Sequence, residues 1–205
     1  ACYSDFERML SQERFDALFV CVPPFAHQGQ EALAAARGIH LYVAKPIALD
    51  LQYALQVHQA VEKSGVICCV SYGLRYLDSM RRARELLAAN PACLAEGRAR
   101  LRAGPGGRRP WFTQKKGSRG QLFTQACHVY DLFRYLVGEV AEVSAYKAEG
   151  FTPKSEGFDI EDAAVLNLKF RGGAVGQINC TVLAPPSPEG MISFSITARN
   201  LNLAY

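Results

Sequence analysis

The first ninety residues alternate two hydrophobic rhythms. Unbroken apolar runs of strand length at 15–22, 40–43 and 66–70 are separated by stretches at 3–10, 27–37, 50–63 and 77–89 whose apolar positions recur at helical spacing. The punctuation agrees with the rhythm. Pro23-Pro24 stops the first run, Gly38 closes an alanine-rich helix, Asp50 is placed to cap the next helix and Gly65 to end it. Continuous apolar strands alternating with amphipathic helices predict a parallel sheet covered on both faces, the doubly wound α/β architecture.

After Pro91 the pattern changes. Residues 94–102 alternate as a strand, 104–120 read as a glycine-rich loop, and 121–137 read as a helix ended by Gly138. Strand-like runs follow at 140–148, 163–170, 174–182 and 192–198, and Arg171-Gly172-Gly173 between two of them is a hairpin signal. The expectation is an α/β chain in two parts: a parallel-sheet domain over 1–90, then an α+β domain with a mainly antiparallel sheet over 91–205.

Composition narrows the class. With 205 residues, 49% of them hydrophobic, the chain can bury a substantial core. No apolar run reaches the length of a membrane span, and Ala1-Cys2-Tyr3-Ser4-Asp5 has neither the basic start nor the apolar run of a signal peptide. Seven scattered cysteines without C-x-x-C spacing predict buried thiols in a reducing, cytoplasmic setting. A formal charge of +4, drawn mainly from one basic glycine-rich segment, gives little reason to expect nucleic acid as a partner. The four histidines are far apart and no zinc-ligand spacing occurs, so no metal is expected.

The sharpest candidate for chemistry is Lys45, in Ala44-Lys45-Pro46 at the end of the apolar run Leu41-Tyr42-Val43. A following proline keeps the lysine extended and stops the strand, so the backbone aims the ammonium. Ligands of doubly wound sheets bind at the carboxyl ends of the strands, and Pro23, Pro24, His27, Lys45 and Tyr72 all fall at such ends.

The segments VCVPPFAH, VAKP, VSYGLRY and ACHVYDLFRYLVGEV, in this order and at these spacings, resemble the Gfo/Idh/MocA family of NAD(P)-dependent oxidoreductases over essentially the whole chain. The resemblance implies a partial Rossmann-type domain followed by a domain for substrate and subunit contact. It also implies NAD or NADP as cofactor, hydride transfer with a sugar, inositol or related polyol, and a homodimer or homotetramer. It assigns catalysis to Lys45, His128 and Thr124, and cofactor contact to Cys21, Pro23, Pro24, His27, Lys45 and Pro46. Substrate contact would fall to Tyr72, Arg75, Tyr76, Trp111 and His128. Lys45 would take the hydroxyl proton as the carbonyl forms, with His128 binding or polarising the same oxygen.

Departures from the family pattern carry their own expectations. Ala44 stands where the family has glutamate, and Thr124 where an acid often precedes the histidine, four residues away and on the same helical face. An alternative is therefore a catalytically impaired NAD(P)-binding sensor or scaffold. The family's opening strand and G-x-G-x-x-G turn do not occur in these residues, and Gly104-Pro105-Gly106-Gly107 does not follow a parallel strand, so the chain is expected to be part of a larger protein. Each site residue also has a plainer reading: Lys45 as a solvated strand-end lysine, His128 as a core histidine, His27 as a helix-start residue, Trp111 as a loop anchor, and Tyr72 and Arg75 as packing and surface charge. Asp131, one turn beyond His128, is read as structural.

Overall fold

The computed structural model describes residues 1–101, 110–184 and 191–205. The glycine-rich segment Gly104-Pro105-Gly106-Gly107 and the start of the basic run, Arg108 and Arg109, lie outside the described residues. The chain divides into two compact units, Ala1–Ser71 and Tyr72–Tyr205.

The first unit opens with α1 (Phe6–Gln12), whose start is fixed by Asp5 accepting a 2.7 Å hydrogen bond from the Arg8 amide. Three parallel strands follow, β1 (Ala17–Val20), β2 (His40–Val43) and β3 (Cys68–Val70), paired in that order. The connecting helices are α2 (Gln30–Ala35) and α3 (Leu51–Ser64). Asp50 caps α3 through the Tyr53 amide at 2.8 Å, and Gly65 ends it at φ +66°, a left-handed conformation that a β-carbon disfavours. Leu10, Val20, Ala34, Ala35, Ile39, Leu41 and Val43 form the buried core, while Phe19 and Ile67 are each 68% exposed. The helix expected from residue 27 begins only at Gln30. A 3-10 turn, Pro24–Ala26, and Gly29 at φ +95° occupy the intervening segment.

The second unit begins with a 3-10 turn, Gly73–Tyr76, and α4 (Asp78–Ala89), then β4 (Ala92–Arg100). A 3-10 turn at Pro110–Thr113, α5 (Lys115–Ser118), α6 (Gln121–Thr124) and α7 (Ala126–Leu136) lead to β5 (Val140–Ala148), β6 (Ala163–Phe170), β7 (Val175–Thr181), β8 (Ile192–Ala198) and β9 (Leu201–Ala204). The six strands order as β5-β6-β7-β4-β8-β9, antiparallel throughout except for the parallel pair β4 and β7. Val129, Leu132 and Phe133 of α7 are fully buried against this sheet. The approach is close: a Cβ on Gly97 of β4 would overlap the Val129 side chain.

Beyond the later start of α2, further features differ from the sequence reading, and Cys2, Cys21 and Cys93, expected as buried thiols, are exposed. Two short helical turns stand inside the expected 104–120 loop, and β9 adds a sixth strand from a four-residue run too short to register as a pattern. The helix expected at 121–137 is interrupted at Gln125, φ −119°. Gln121 shows the tertiary demand behind the break. Fully buried, it spends its Nε2 on Ala99 O at 3.0 Å and Thr181 O at 2.9 Å, while buried Glu161 accepts the Leu122 amide at 3.1 Å.

Candidate functional site

In the first unit the candidates sit where the strands stop. Val20 pairs with Val43 and Val43 with Val70, so Cys21, Ala44 and Ser71 leave the sheet side by side. The Ala44 amide donates to Val20 O at 2.8 Å, the Ser71 amide to Val43 O at 2.9 Å, and the Lys45 amide to Ser71 Oγ at 3.2 Å. Lys45 is half-buried, Pro46 is buried, and the peptide between them is cis. Cys21 is exposed, Pro23 half-buried and Pro24 buried within its 3-10 turn.

His27, which follows the 3-10 turn after β1, belongs to a network of its own. Its Nδ1 meets Glu31 Oε1, the Tyr53 hydroxyl donates to Glu31 Oε2 at 2.7 Å, and the Gly29 amide donates to the same hydroxyl at 2.8 Å. The His27 side chain is only 2% exposed and Glu31 is fully enclosed. Burial pushes the Glu31 carboxyl up, yet the hydrogen bonds from His27 and Tyr53 outweigh it and hold the group below the ordinary carboxylate range. The Tyr53 phenol is raised by burial and by its bond to Glu31. His27, Glu31 and Tyr53 thus clamp the segment between β1 and α2 to α3.

In the second unit the candidates gather on one turn and one helix. The Tyr72 ring meets the His128 imidazole edge-to-face, with centroids 6.3 Å apart and planes at 86°. Burial raises the Tyr72 phenol. Arg75 grips Asp131 with two hydrogen bonds, Nε to Oδ2 at 2.7 Å and Nη2 to Oδ1 at 2.5 Å, and Nη2 also reaches Asp131 O at 3.4 Å. Tyr76, in the same 3-10 turn, is 57% exposed. Thr124 is buried and its hydroxyl donates to Gly120 O at 3.1 Å. Trp111 stands in a different turn, edge-on to Phe112 at 5.7 Å. Among the described residues no cluster of three His, Cys, Asp or Glu side chains could hold a metal ion. No helix among them is long and apolar enough to cross a membrane.

Comparison with known proteins supplies the family. Residues 1–72 match a family described as oxidoreductases with an NAD-binding Rossmann fold, and residues 92–199 match the GFO/IDH/MocA C-terminal domain. The chain belongs to the GFO/IDH/MocA family. Among its relatives is scyllo-inositol 2-dehydrogenase (NAD(+)) of Bacillus subtilis, 27% identical over 190 residues that cover 86% of this chain and 52% of that protein. Levoglucosan dehydrogenase in complex with NADH and levoglucosan superposes with a TM-score of 0.87 at 25% identity, covering 99% of this chain and 57% of that one. The WlbA dehydrogenase of Bordetella pertussis in complex with NADH and UDP-GlcNAcA gives 0.81 at 25% identity, covering 96% and 57%. This GFO/IDH/MocA chain spans about half the length of the curated relatives it matches.

The parallel Rossmann-type sheet and the mainly antiparallel second sheet expected of the family are both present. Sequence reasoning missed Glu31, Tyr53, Gln121 and Glu161. The H-x-x-x-E spacing of His27 and Glu31 on a helix start was a usable signal for one of them. The others act across long sequence separations and leave no local trace.

Proposed function

We propose that this chain is part of a dehydrogenase that moves a hydride between NAD or NADP and a hydroxyl or carbonyl group of a sugar, inositol or related polyol. The observation that carries the reading is the ordered match of both halves to one family, with Lys45 standing at the carboxyl end of β2. A bound dinucleotide would accept or deliver the hydride. The strand ends suit such a ligand: Cys21 to Pro24, Ala44 to Pro46 and Ser71 carry one cation and no carboxylate, so nothing in them repels a pyrophosphate.

In this reading residues 1–90 serve the cofactor, through Cys21, Pro23, Pro24, His27, Lys45 and Pro46, apart from the turn at 72–76, which faces substrate together with 91–205, and 91–205 also serve subunit contact. Lys45 takes the hydroxyl proton in oxidation and returns it in reduction, while His128 binds the substrate oxygen. Thr124, four residues before His128, serves as its hydroxyl partner. Tyr72, Tyr76, Trp111 and the Arg75 Nη1 group, which Asp131 does not engage, offer aromatic faces and a donor to a polyhydroxylated ligand. The outer face of the six-stranded sheet is offered to a second copy of the chain. It combines exposed Leu94, Val165 and Val175 with charges of both signs at Glu96 and Arg98, a self-complementary composition across a two-fold axis. Charge reversal by Arg98→Glu should then shift the intact protein toward monomer in sedimentation.

A second reading, an NAD(P)-binding sensor or scaffold without turnover, is favoured by Ala44 and Thr124 standing where family carboxylates are expected. Lys45→Ala in the intact protein separates the two. The dehydrogenase reading expects turnover to fall by about 10² to 10⁴ with NAD(P)H binding retained. Unchanged turnover in Lys45→Ala defeats the assignment of the base, and a wild type that binds NADH without oxidising or reducing any polyol supports the sensor.

A further inference from the structure

Arg75 and Asp131 lie fifty-six residues apart in sequence, yet they are joined by a two-pronged ion pair. Arg75 follows Tyr72 by three residues in the 3-10 turn, and Asp131 follows His128 by three residues on α7. On α7 that spacing puts His128 and Asp131 on one face, one turn apart, and the Arg75 amide closes its turn onto Tyr72 O at 3.2 Å. The clamp therefore sits one turn from the contact between the Tyr72 ring and the His128 imidazole. Asp131 is 7% exposed and Arg75 33%, so the pair is largely withdrawn from competing water. Its guanidinium also lies 5.3 Å from the Tyr135 ring centre, and Arg84 lies 4.5 Å from the same centre, so two cations meet Tyr135 and tie the turn and α4 to α7.

Neither the clamp nor the contacts on Tyr135 perform chemistry. We propose that Arg75 and Asp131 are positioning residues that hold Tyr72 against His128 and thereby fix the plane in which the imidazole meets the substrate oxygen. This deepens the dehydrogenase reading and rests on it. The fork geometry is what the role needs. Lysine in place of Arg75 keeps the charge and loses one of the two parallel bonds, so the turn regains a degree of rotation.

The test has two readouts on the intact protein. One is the ring-proton resonances of His128 in NMR spectra without cofactor, displaced by the Tyr72 ring current and identified by their change in Tyr72→Leu. The other is steady-state kinetics. Asp131→Asn and Arg75→Lys should both move the His128 resonances toward their Tyr72→Leu positions. They should lower kcat by tenfold or more and leave the NADH dissociation constant within about twofold, while Asp131→Glu recovers part of the loss. Resonances that stay in place in both variants overturn the clamp. Resonances that move with kcat unchanged overturn the positioning role. Failure of the dehydrogenase reading is recognised separately, as a wild-type protein without NADH binding or turnover, before any variant is compared.

Discussion

In Ala1–Ser71 the backbone does the aiming. Lys45, Cys21 and Ser71 emerge from three strands in parallel register, and their directions follow from strand ends, a proline and ladder hydrogen bonds. In Tyr72–Tyr205 side chains do it: His128 rides on α7, which follows the short helix α6 that Gln121 and Glu161 tie down, and Arg75 grips α7 one turn beyond His128. The cores differ in proportion. Among the described residues, seven buried side chains form the first cluster and nineteen the second, where Phe133 meets Phe170 and Phe194 edge-to-face. A small core suffices where register sets direction, and a large one is needed where a helix must be held at one angle to a sheet.

The largest effect that can break this contrast is a cavity in each core. Phe133→Ala removes a fully buried ring and should cost about 3–5 kcal/mol, whereas Leu41→Ala, 3% exposed in the thinner core, should cost about 2–3 kcal/mol because its surroundings can collapse further. Trp111, the one tryptophan, reports the second unit by fluorescence in urea, and amide hydrogen exchange of β2 reports the first. Equal losses would remove the difference in core quality.

Next in size is the side-chain tether. Gln121→Ala removes the Nε2 donor that bridges Ala99 O and Thr181 O, carbonyls of neighbouring strands, although Thr181 O keeps the Leu101 amide at 3.0 Å, and the two lost bonds should cost about 2 kcal/mol by urea unfolding. Gln121→Glu should not rescue it, since a carboxylate supplies no N–H to either carbonyl.

The same contrast explains what was legible in the sequence. In the first unit the apolar runs, Asp50, Gly65 and the prolines are local signals, and they place β2, α3 and Lys45 where the structure has them. Local signals failed where distant partners decide. The break at Gln125 depends on strands β4 and β7, the parallel pairing inside an otherwise antiparallel sheet depends on topology, and the Arg75–Asp131 clamp joins residues with no common pattern. His27 shows both sides. Its place after β1 was visible, but its burial against Glu31 and Tyr53 required α3 to arrive.

That buried carboxylate gives the first unit a pH dependence of its own. Glu31 titrates below its value in the unfolded chain, so its contribution is fully present above the unfolded carboxylate range and is lost as pH falls through the lower folded value. Glu31→Gln should destabilise the first unit near neutrality and cost progressively less in acid, where the wild type loses the same advantage. Exchange rates of the α2 and α3 amides at several pH values measure it. A cost independent of pH would show that the Glu31 charge plays no part.

The smallest expected effect tests the backbone side most directly. Asp50 accepts the Tyr53 amide at the start of α3, whereas Gln125 at the start of α7 makes no side-chain cap at all. Asp50→Ala should therefore cost about 1 kcal/mol, with Asp50→Asn nearly neutral because the amide oxygen caps as well. Gln125→Ala should show no capping loss, because α7 is held instead by its buried face and by the Arg75 grip on Asp131. Urea midpoints for the three variants settle the ranking. If Asp50→Ala and Gln125→Ala cost the same, helix starts in the two units are fixed by one mechanism, and the division between aiming by backbone and aiming by side chain fails at its simplest point.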